Sequence, residues 1–307
     1  MADPDVTVVA SGLRFPEGPV VMPDGTLVLV EINAGRITRI DPTDGRKTIL
    51  ASGLGGPNGL AIGPDGILYL CNNGGFDWIE SDGVLMPFET APDYVTGSIQ
   101  RVDPATGMVE TLYTHAGDIR LRGPNDLVFD HMGGFWFTDF GKIRRREEDI
   151  TGIFYARTDG SFIAEVIHSM RGPNGIGLSP DGRTLYVAET FTGTLHAFPV
   201  TAPGQVAGGD SMSFPGRFLH RPAGQSYFDS LAVEAGGNIC VGTLGTGGIS
   251  VIAPDGTPVE FVATGDPVTT NIAFGGPDMR TAFITCSSSG RLVSMRWPRP
   301  GLRLAFP

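Results

Sequence analysis

Phe15-Pro16-Glu17-Gly18-Pro19 opens a pattern that returns five more times along the chain. The position of Glu17 recurs as Asn58, Asn125, Asn174, Asp229 and Asn271. Seven residues after each comes a turn, at Asp24, Asp65, Met132, Asp181, Gly236 and Asp278, and in all but the last the next residue is glycine. Pro57-Asn58-Gly59, Pro124-Asn125-Asp126 and Pro173-Asn174-Gly175 are near copies of one another. Successive steps of 41, 67, 49, 55 and 42 residues give a period in the low forties, with insertions in the middle three. A recurrence of this kind is the mark of a repeat architecture.

Each unit reads as a short strand, a Pro-Asp-Gly or Gly-Gly turn, a second strand such as residues 68–71 or 135–138, and further strands beyond. Four strands in about 40 to 50 residues predict a propeller blade. The expectation is therefore an all-β, six-bladed β-propeller forming a single domain over residues 1–307. After Asn271 there is room for only three strands. The strand-like run at residues 6–10 is predicted to supply the fourth, closing the last blade and removing two free sheet edges.

Glycines (45) and prolines (24) are spread along the chain, as many turns require, and do not form one low-complexity tract. A net charge of −11, from 22 basic and 33 acidic residues, opposes nucleic acid and anionic membrane surfaces while leaving cations welcome. The run Arg144-Arg145-Arg146-Glu147-Glu148-Asp149 is mixed in sign and reads as a solvated loop. No secretory leader or membrane-spanning apolar stretch is visible, so the expected setting is cytoplasmic. Cys71, Cys240 and Cys286 lie in apolar runs without metal-type spacing and read as free buried thiols. Two insertions stand out. Residues 74–97 carry Phe76, Trp78, Phe88 and Tyr94 and predict a lid over one end of the propeller or a flap on a neighbouring blade, and residues 201–227 form a second segment able to wall a pocket.

The first strand of each blade lines a propeller's channel, so the six recurring positions should meet around one axis. They are all oxygen donors, two of them acids and none basic. Such a set suits a hard divalent cation, with two carboxylates to neutralise it. The competing reading is turn chemistry, which Asn-Gly alone would satisfy. Five scattered histidines, no G-x-S-x-G elbow and no phosphate-binding loop leave other chemistries unsupported, and Gly245-Thr246-Gly247-Gly248 reads as a turn.

The chain resembles the SMP-30/gluconolactonase (regucalcin) family of six-bladed propellers. The likeness runs from Phe15-Pro16-Glu17-Gly18-Pro19 through Gly172-Pro173-Asn174-Gly175 and Phe228-Asp229-Ser230-Leu231 to the stretch beginning Asn271-Ile272-Ala273. The resemblance implies a metal-dependent lactonase with its ion in the central channel, calcium being favoured and magnesium, manganese or zinc the alternatives. By the same likeness Glu17, Asn174 and Asp229 are implied metal ligands, and Asn125 a ligand or a substrate contact beside the ion. Arg122 resembles the family's substrate-contacting arginine, and Asn58 and Asn271 fill the remaining inner positions, suited to substrate contacts. Asp229 is the candidate base, since a carboxylate bound through one oxygen keeps the other free. The implied partner is a small-molecule lactone, with no nucleic acid or membrane, in a monomer or dimer. A propeller acting on a bulkier ester or another substrate, and a non-enzymatic cation-binding scaffold, are the alternatives.

Overall fold

The computed structural model describes residues 6–208 and 214–306. Six antiparallel sheets of at least four strands each form six blades. Their inner strands are Pro16–Val21, Pro57–Ile62, Pro124–Phe129, Pro173–Leu178, Tyr227–Val233 and Thr269–Gly275. In the last blade the order runs from Thr269–Gly275 through Thr281–Cys286 and Arg291–Arg296 to Thr7–Ala10. The N-terminal strand pairs antiparallel with Arg291–Arg296, Thr7 opposite Ser294 and Val8 opposite Val293, and closes the ring as the sequence predicts.

Every inner strand carries a register shift at the recurring position. In the first five blades three steps along the inner strand oppose two along its partner: between Glu17 and Val20, Pro57 and Leu60, Pro124 and Leu127, Pro173 and Ile176, and Phe228 and Leu231. In the sixth the shift falls between Thr269 and Asn271. A bulge unpairs one residue and re-aims its side chain. Here it takes six side chains out of the alternation that would bury them between blades.

The glycine after the recurring residue has a steric reason. A Cβ on Gly18 would stand 2.5 Å from the Asn58 carbonyl oxygen, one on Gly59 2.6 Å from that of Asn125, and one on Gly175 2.6 Å from that of Asp229. Neighbouring inner strands touch at these points, so the ring is drawn tight. Blades three and five place Asp126 and Ser230 at the corresponding position.

Wedges of buried side chains hold the blades together. Tyr69, Phe129, Phe135 and Phe137 pack between blades two and three, with ring centroids of 5.1 to 6.0 Å. Trp136 points to the other face and meets Tyr155 at 5.0 Å. The three cysteines are free and buried, as expected. Gly245-Thr246-Gly247 is a turn. The mixed-charge run differs from a plain loop: Ile143–Arg144 pairs with Glu147–Glu148, and Arg171 of the next blade bonds Glu148 at 2.5 Å. Among the described residues no helix is long and apolar enough to cross a membrane.

Residues 74–97 contain a hairpin of Phe76–Ser81 and Val84–Thr90. It stands at the end of the channel where the inner strands begin and packs against both neighbouring blades. Trp78 meets Phe15 edge-on at 5.1 Å and Glu80 bonds Arg14 at 3.0 Å on one side. On the other, the Thr90 hydroxyl donates to the Ile143 carbonyl at 2.7 Å. Of the second insertion, the end of Thr194–Ala202 turns back into Gln205–Val206 and Arg217–His220 adds a further strand to the fourth blade, and residues 209–213 lie outside the described ones.

A candidate cation and catalytic ring at the channel mouth

The bulges bring Glu17, Asn58, Asn125, Asn174, Asp229 and Asn271 to one level of the channel. All are buried except Asp229, which is half-buried. Glu17 Oε2 accepts bonds from the Gly18 N–H at 2.6 Å and from Asn271 Nδ2 at 2.8 Å. Asn174 Oδ1 accepts from the Ser230 hydroxyl at 3.3 Å, and Asn174 Nδ2 donates to Thr190 Oγ1 at 3.1 Å.

Hydroxyl groups from the second strands, or just beyond them, fix this level. Each donates to a carbonyl on the next inner strand around the ring: Thr138 to Asn174 at 2.6 Å, Thr190 to Phe228 at 2.8 Å and Ser287 to Pro16 at 2.6 Å. An inner strand has no neighbour on its channel side, so these bonds satisfy carbonyls that would otherwise depend on water.

The buried acids divide by what they hold. Glu31, Asp139 and Glu189, at the ends of second strands, accept backbone N–H groups from Arg14, from Arg122 and Gly123, and from Arg171. They fix the chain just before the inner strand and are structural. Despite the opposing effect of burial, Glu31 is held below the ordinary carboxylate range by the Arg36 guanidinium, the Thr38 hydroxyl and the Arg14 N–H, and Glu189 by the His196 ring and the Arg171 N–H. Arg122 is half-buried at the rim, its backbone set by Asp139.

Burial raises Asp139 in spite of its backbone N–H bonds, and the ring acids are raised as well. Burial raises Glu17, although Asn271 and the Gly18 N–H draw it down. Burial and the neighbouring charge of Glu17 raise Asp229 well above its usual range. Asp126 is a third carboxyl at this level that the repeat pattern passed over, pushed up to about 8 by burial and by Glu17. The signal was present in the one copy that reads Pro-Asn-Asp where its siblings read Pro-Asn-Gly. Ionised together, these groups repel one another in a poorly solvated place, and each therefore favours its protonated form.

Two ring oxygens, Glu17 Oε1 and Asn125 Oδ1, are buried without a hydrogen-bond partner among the described residues. Buried oxygens left open cost about 1–3 kcal/mol each unless something compensates them. Among the described residues no group of three or more His, Cys, Asp or Glu side chains could hold a metal ion. The donor set that fits a cation is instead mixed: carboxylates of Glu17 and Asp229 with amide oxygens of Asn125 and Asn174, a set suited to hard ions.

Away from the hairpin the channel widens into a cavity of about 990 Å³ that reaches the ring at Gly18, Asp126 and Asn271. Apolar residues such as Leu60, Phe129 and Phe274 line it, and the C-terminal residues 302–306 run along it, Phe306 against Phe129 at 5.7 Å. That tail is held by Glu234, which accepts from Trp297 Nε1 at 2.7 Å and pairs with Arg299 at 2.7 Å.

The chain is 27% identical over 258 residues to Lactonase drp35 of Staphylococcus haemolyticus, covering 84% of this chain and 72% of that one. Alignments with other staphylococcal proteins of that name span 40–53% of their length. It is 29% identical over 214 residues to a Gluconolactonase of Zymomonas mobilis, covering 64% of this chain and 56% of that one. The crystal structure of a calcium-binding regucalcin from Agrobacterium tumefaciens superposes with a TM-score of 0.74 at 20% identity, over 99% of this chain and all of the other, and shares the fold. Residues 15–288 match the model described as SMP-30/Gluconolactonase/LRE-like region, and with the six bulged inner strands and their oxygen-donor ring this chain belongs to that family.

Proposed function

We propose that this chain hydrolyses a lactone at the ring end of its channel, where Glu17, Asn125, Asn174 and Asp229 hold one divalent cation. The observation that carries the reading is the pair of unpartnered buried oxygens, Glu17 Oε1 and Asn125 Oδ1, within a ring of oxygen donors. Relatives named as lactonases and a gluconolactonase supply the reaction class. A regucalcin described as calcium-binding makes calcium the first choice, with magnesium, manganese or zinc as alternatives.

A bound divalent ion supplies Lewis-acid polarisation of the ester carbonyl. The chain's own groups do the rest. Asp229 is the most open of the ring positions and takes the proton from the attacking water, burial and Glu17 having made it a stronger base than an ordinary carboxylate. Glu17 is anchored through Oε2 by Gly18 and Asn271, which leaves Oε1 as its free donor. Arg122, Asn58 and Asn271 surround the mouth and orient the substrate, with Asn125 serving beside them.

The aromatic character of the hairpin beside the mouth, Trp78 against Phe15 and Phe76 against Trp78, favours a lactone or related ester carrying an apolar group over a bare sugar lactone. Proton release from a panel of sugar, aliphatic and aromatic lactones, run after chelation and again with each ion restored, tests both parts. Hydrolysis that disappears on chelation and returns with one ion supports the reading. Silence over the whole panel in the ion-loaded protein overturns it in favour of a scaffold.

A further inference from the structure

Lys142 is a lysine removed from water, with only 1% of its surface exposed. Its Nζ donates to the carbonyl oxygens of Asn73 at 2.8 Å and Gly75 at 2.7 Å. The same ammonium lies 4.4 Å from the centre of the Phe76 ring and 4.8 Å from that of Tyr94. Lys142 belongs to the third blade, whereas its four partners belong to the second: Asn73 immediately precedes the inserted segment, Gly75 and Phe76 form its first root and Tyr94 its second. Both roots of the aromatic hairpin are thus tied by one cation from the neighbouring blade.

An ammonium has the right shape for this task. It is compact, two of its three N–H donors satisfy the two carbonyls, and its charge faces two aromatic rings. A planar guanidinium cannot make this set of contacts in the same space. No carboxylate makes a salt bridge to it among the described residues. Burial pushes its pKa down to about 7, while the charge of Asp139 draws it back up.

The first root is a close approach of backbone that requires glycine. Gly74 and Gly75 have φ of +78° and +103°, and a Cβ on Gly74 would stand 2.6 Å from the Thr96 carbonyl oxygen and 2.7 Å from the Tyr94 ring. From the cage the contacts lead into the site, for the Tyr94 hydroxyl donates to the Arg122 carbonyl oxygen at 2.7 Å.

We propose that Lys142 is the positioning residue that seats the Phe76–Thr90 hairpin over the channel mouth and, through Tyr94, sets the backbone of Arg122. It touches no ring residue and acts through the segments it holds. The kinetic part of this inference rests on the lactonase reading, and the structural part does not. Trp78 is the half-buried tryptophan of the hairpin, whereas Trp136 and Trp297 are fully buried, so quenching of tryptophan fluorescence reports hairpin seating.

The experiment compares wild type, Lys142→Met and Lys142→Arg, with Trp78→Phe to identify the signal. Lys142→Met is expected to raise acrylamide quenching of Trp78 and, on the best lactone of the panel, to raise KM about tenfold with kcat nearly unchanged, as a lost roof contact would. Lys142→Arg keeps the charge and is expected to restore neither. Should Lys142→Met fail to fold, Tyr94→Leu removes one ring face and the bond to Arg122 while leaving the ammonium, and is expected to shift both readouts the same way. Unchanged Trp78 quenching in a folded Lys142→Met or Tyr94→Leu protein overturns the proposal, whatever the lactone assay shows. Equal falls in kcat and kcat/KM with the hairpin still seated also overturn it. A wild type silent on every lactone removes the lactonase reading and leaves the quenching test to decide the seating role.

Discussion

Asp229→Asn is expected to fold normally and to lose about a hundredfold or more in turnover, the size of effect that loss of a positioned general base produces. The amide has nearly the shape of the carboxylate and can still offer one oxygen to a cation, but it cannot accept the proton of water. The fold should tolerate the change because Asp229 is half-buried and its charge is opposed there by Glu17 and Asp126. Replacing that charge removes a repulsion, so the cation-free variant is expected to melt above wild type. Asn58→Ala removes a neutral ring amide without touching the base, and its turnover is expected to fall by only about threefold, as for a peripheral substrate contact. Steady-state kinetics on both variants with saturating ion checks the contrast. Equal losses in the two would remove Asp229 from the role of base.

Without a divalent cation, stability is expected to decline as pH rises from about 5 to about 7, and added calcium is expected to reverse the trend. Glu17, Asp126 and Asp229 are all raised in the folded state, Asp126 to about 8. A carboxyl raised on folding contributes stability that is fully present below its unfolded value and is lost as pH rises through its folded value. Between those values the native state holds a proton that the unfolded chain has released. Each such group then lowers stability by about 1.4 kcal/mol per pH unit. Glu31, Glu189 and Glu234 are lowered and act in the opposite sense, losing their contribution only as pH falls through the acid range below this window. Lys142, lowered to about 7, begins to release its proton at the upper edge and adds stability beyond it. Asp139, also raised by burial, slopes the same way over the window from about 5 to about 7, so the response to calcium is what singles out the ring acids. A cation needs them ionised, so its stabilising effect grows over the same range. Melting temperatures measured at several pH values, with chelator and with calcium, check the prediction, which a flat or rising cation-free curve would contradict.

The fold was legible because the repeat is written in backbone constraints. A glycine must follow Glu17, Asn58 and Asn174 where the next inner strand comes within 2.5 to 2.6 Å of its Cβ position, and a Pro-Asp-Gly turn must reverse the chain soon after. The missing fourth strand of the last blade was legible by counting. That the recurring positions lie along the channel was legible because they fall on the first strand of each blade, which lines the axis of a propeller. Asp126 was not, because Asn125-Asp126 also reads as a turn and only the tertiary approach of blade five, with Ser230 and the charge of Glu17, shows where its carboxyl lies. Lys142 sits in a loop outside the repeat and contacts residues 67 and 69 positions away, so no local pattern marks it. Glu31, Asp139 and Glu189 are acids as buried as the ring acids, yet their task is to hold backbone N–H groups. Only the hydrogen bonds separate the two sets.

The measurement that tests the central claim most directly is a calorimetric titration of calcium into chelator-treated wild type and Glu17→Gln. One ion per chain in wild type, with binding weakened about a hundredfold or more when the Glu17 carboxylate is lost, is the expected result for a site with few charged ligands. Undiminished binding in Glu17→Gln, or lactone hydrolysis by a wild type that takes up no ion, would contradict a cation held by this ring.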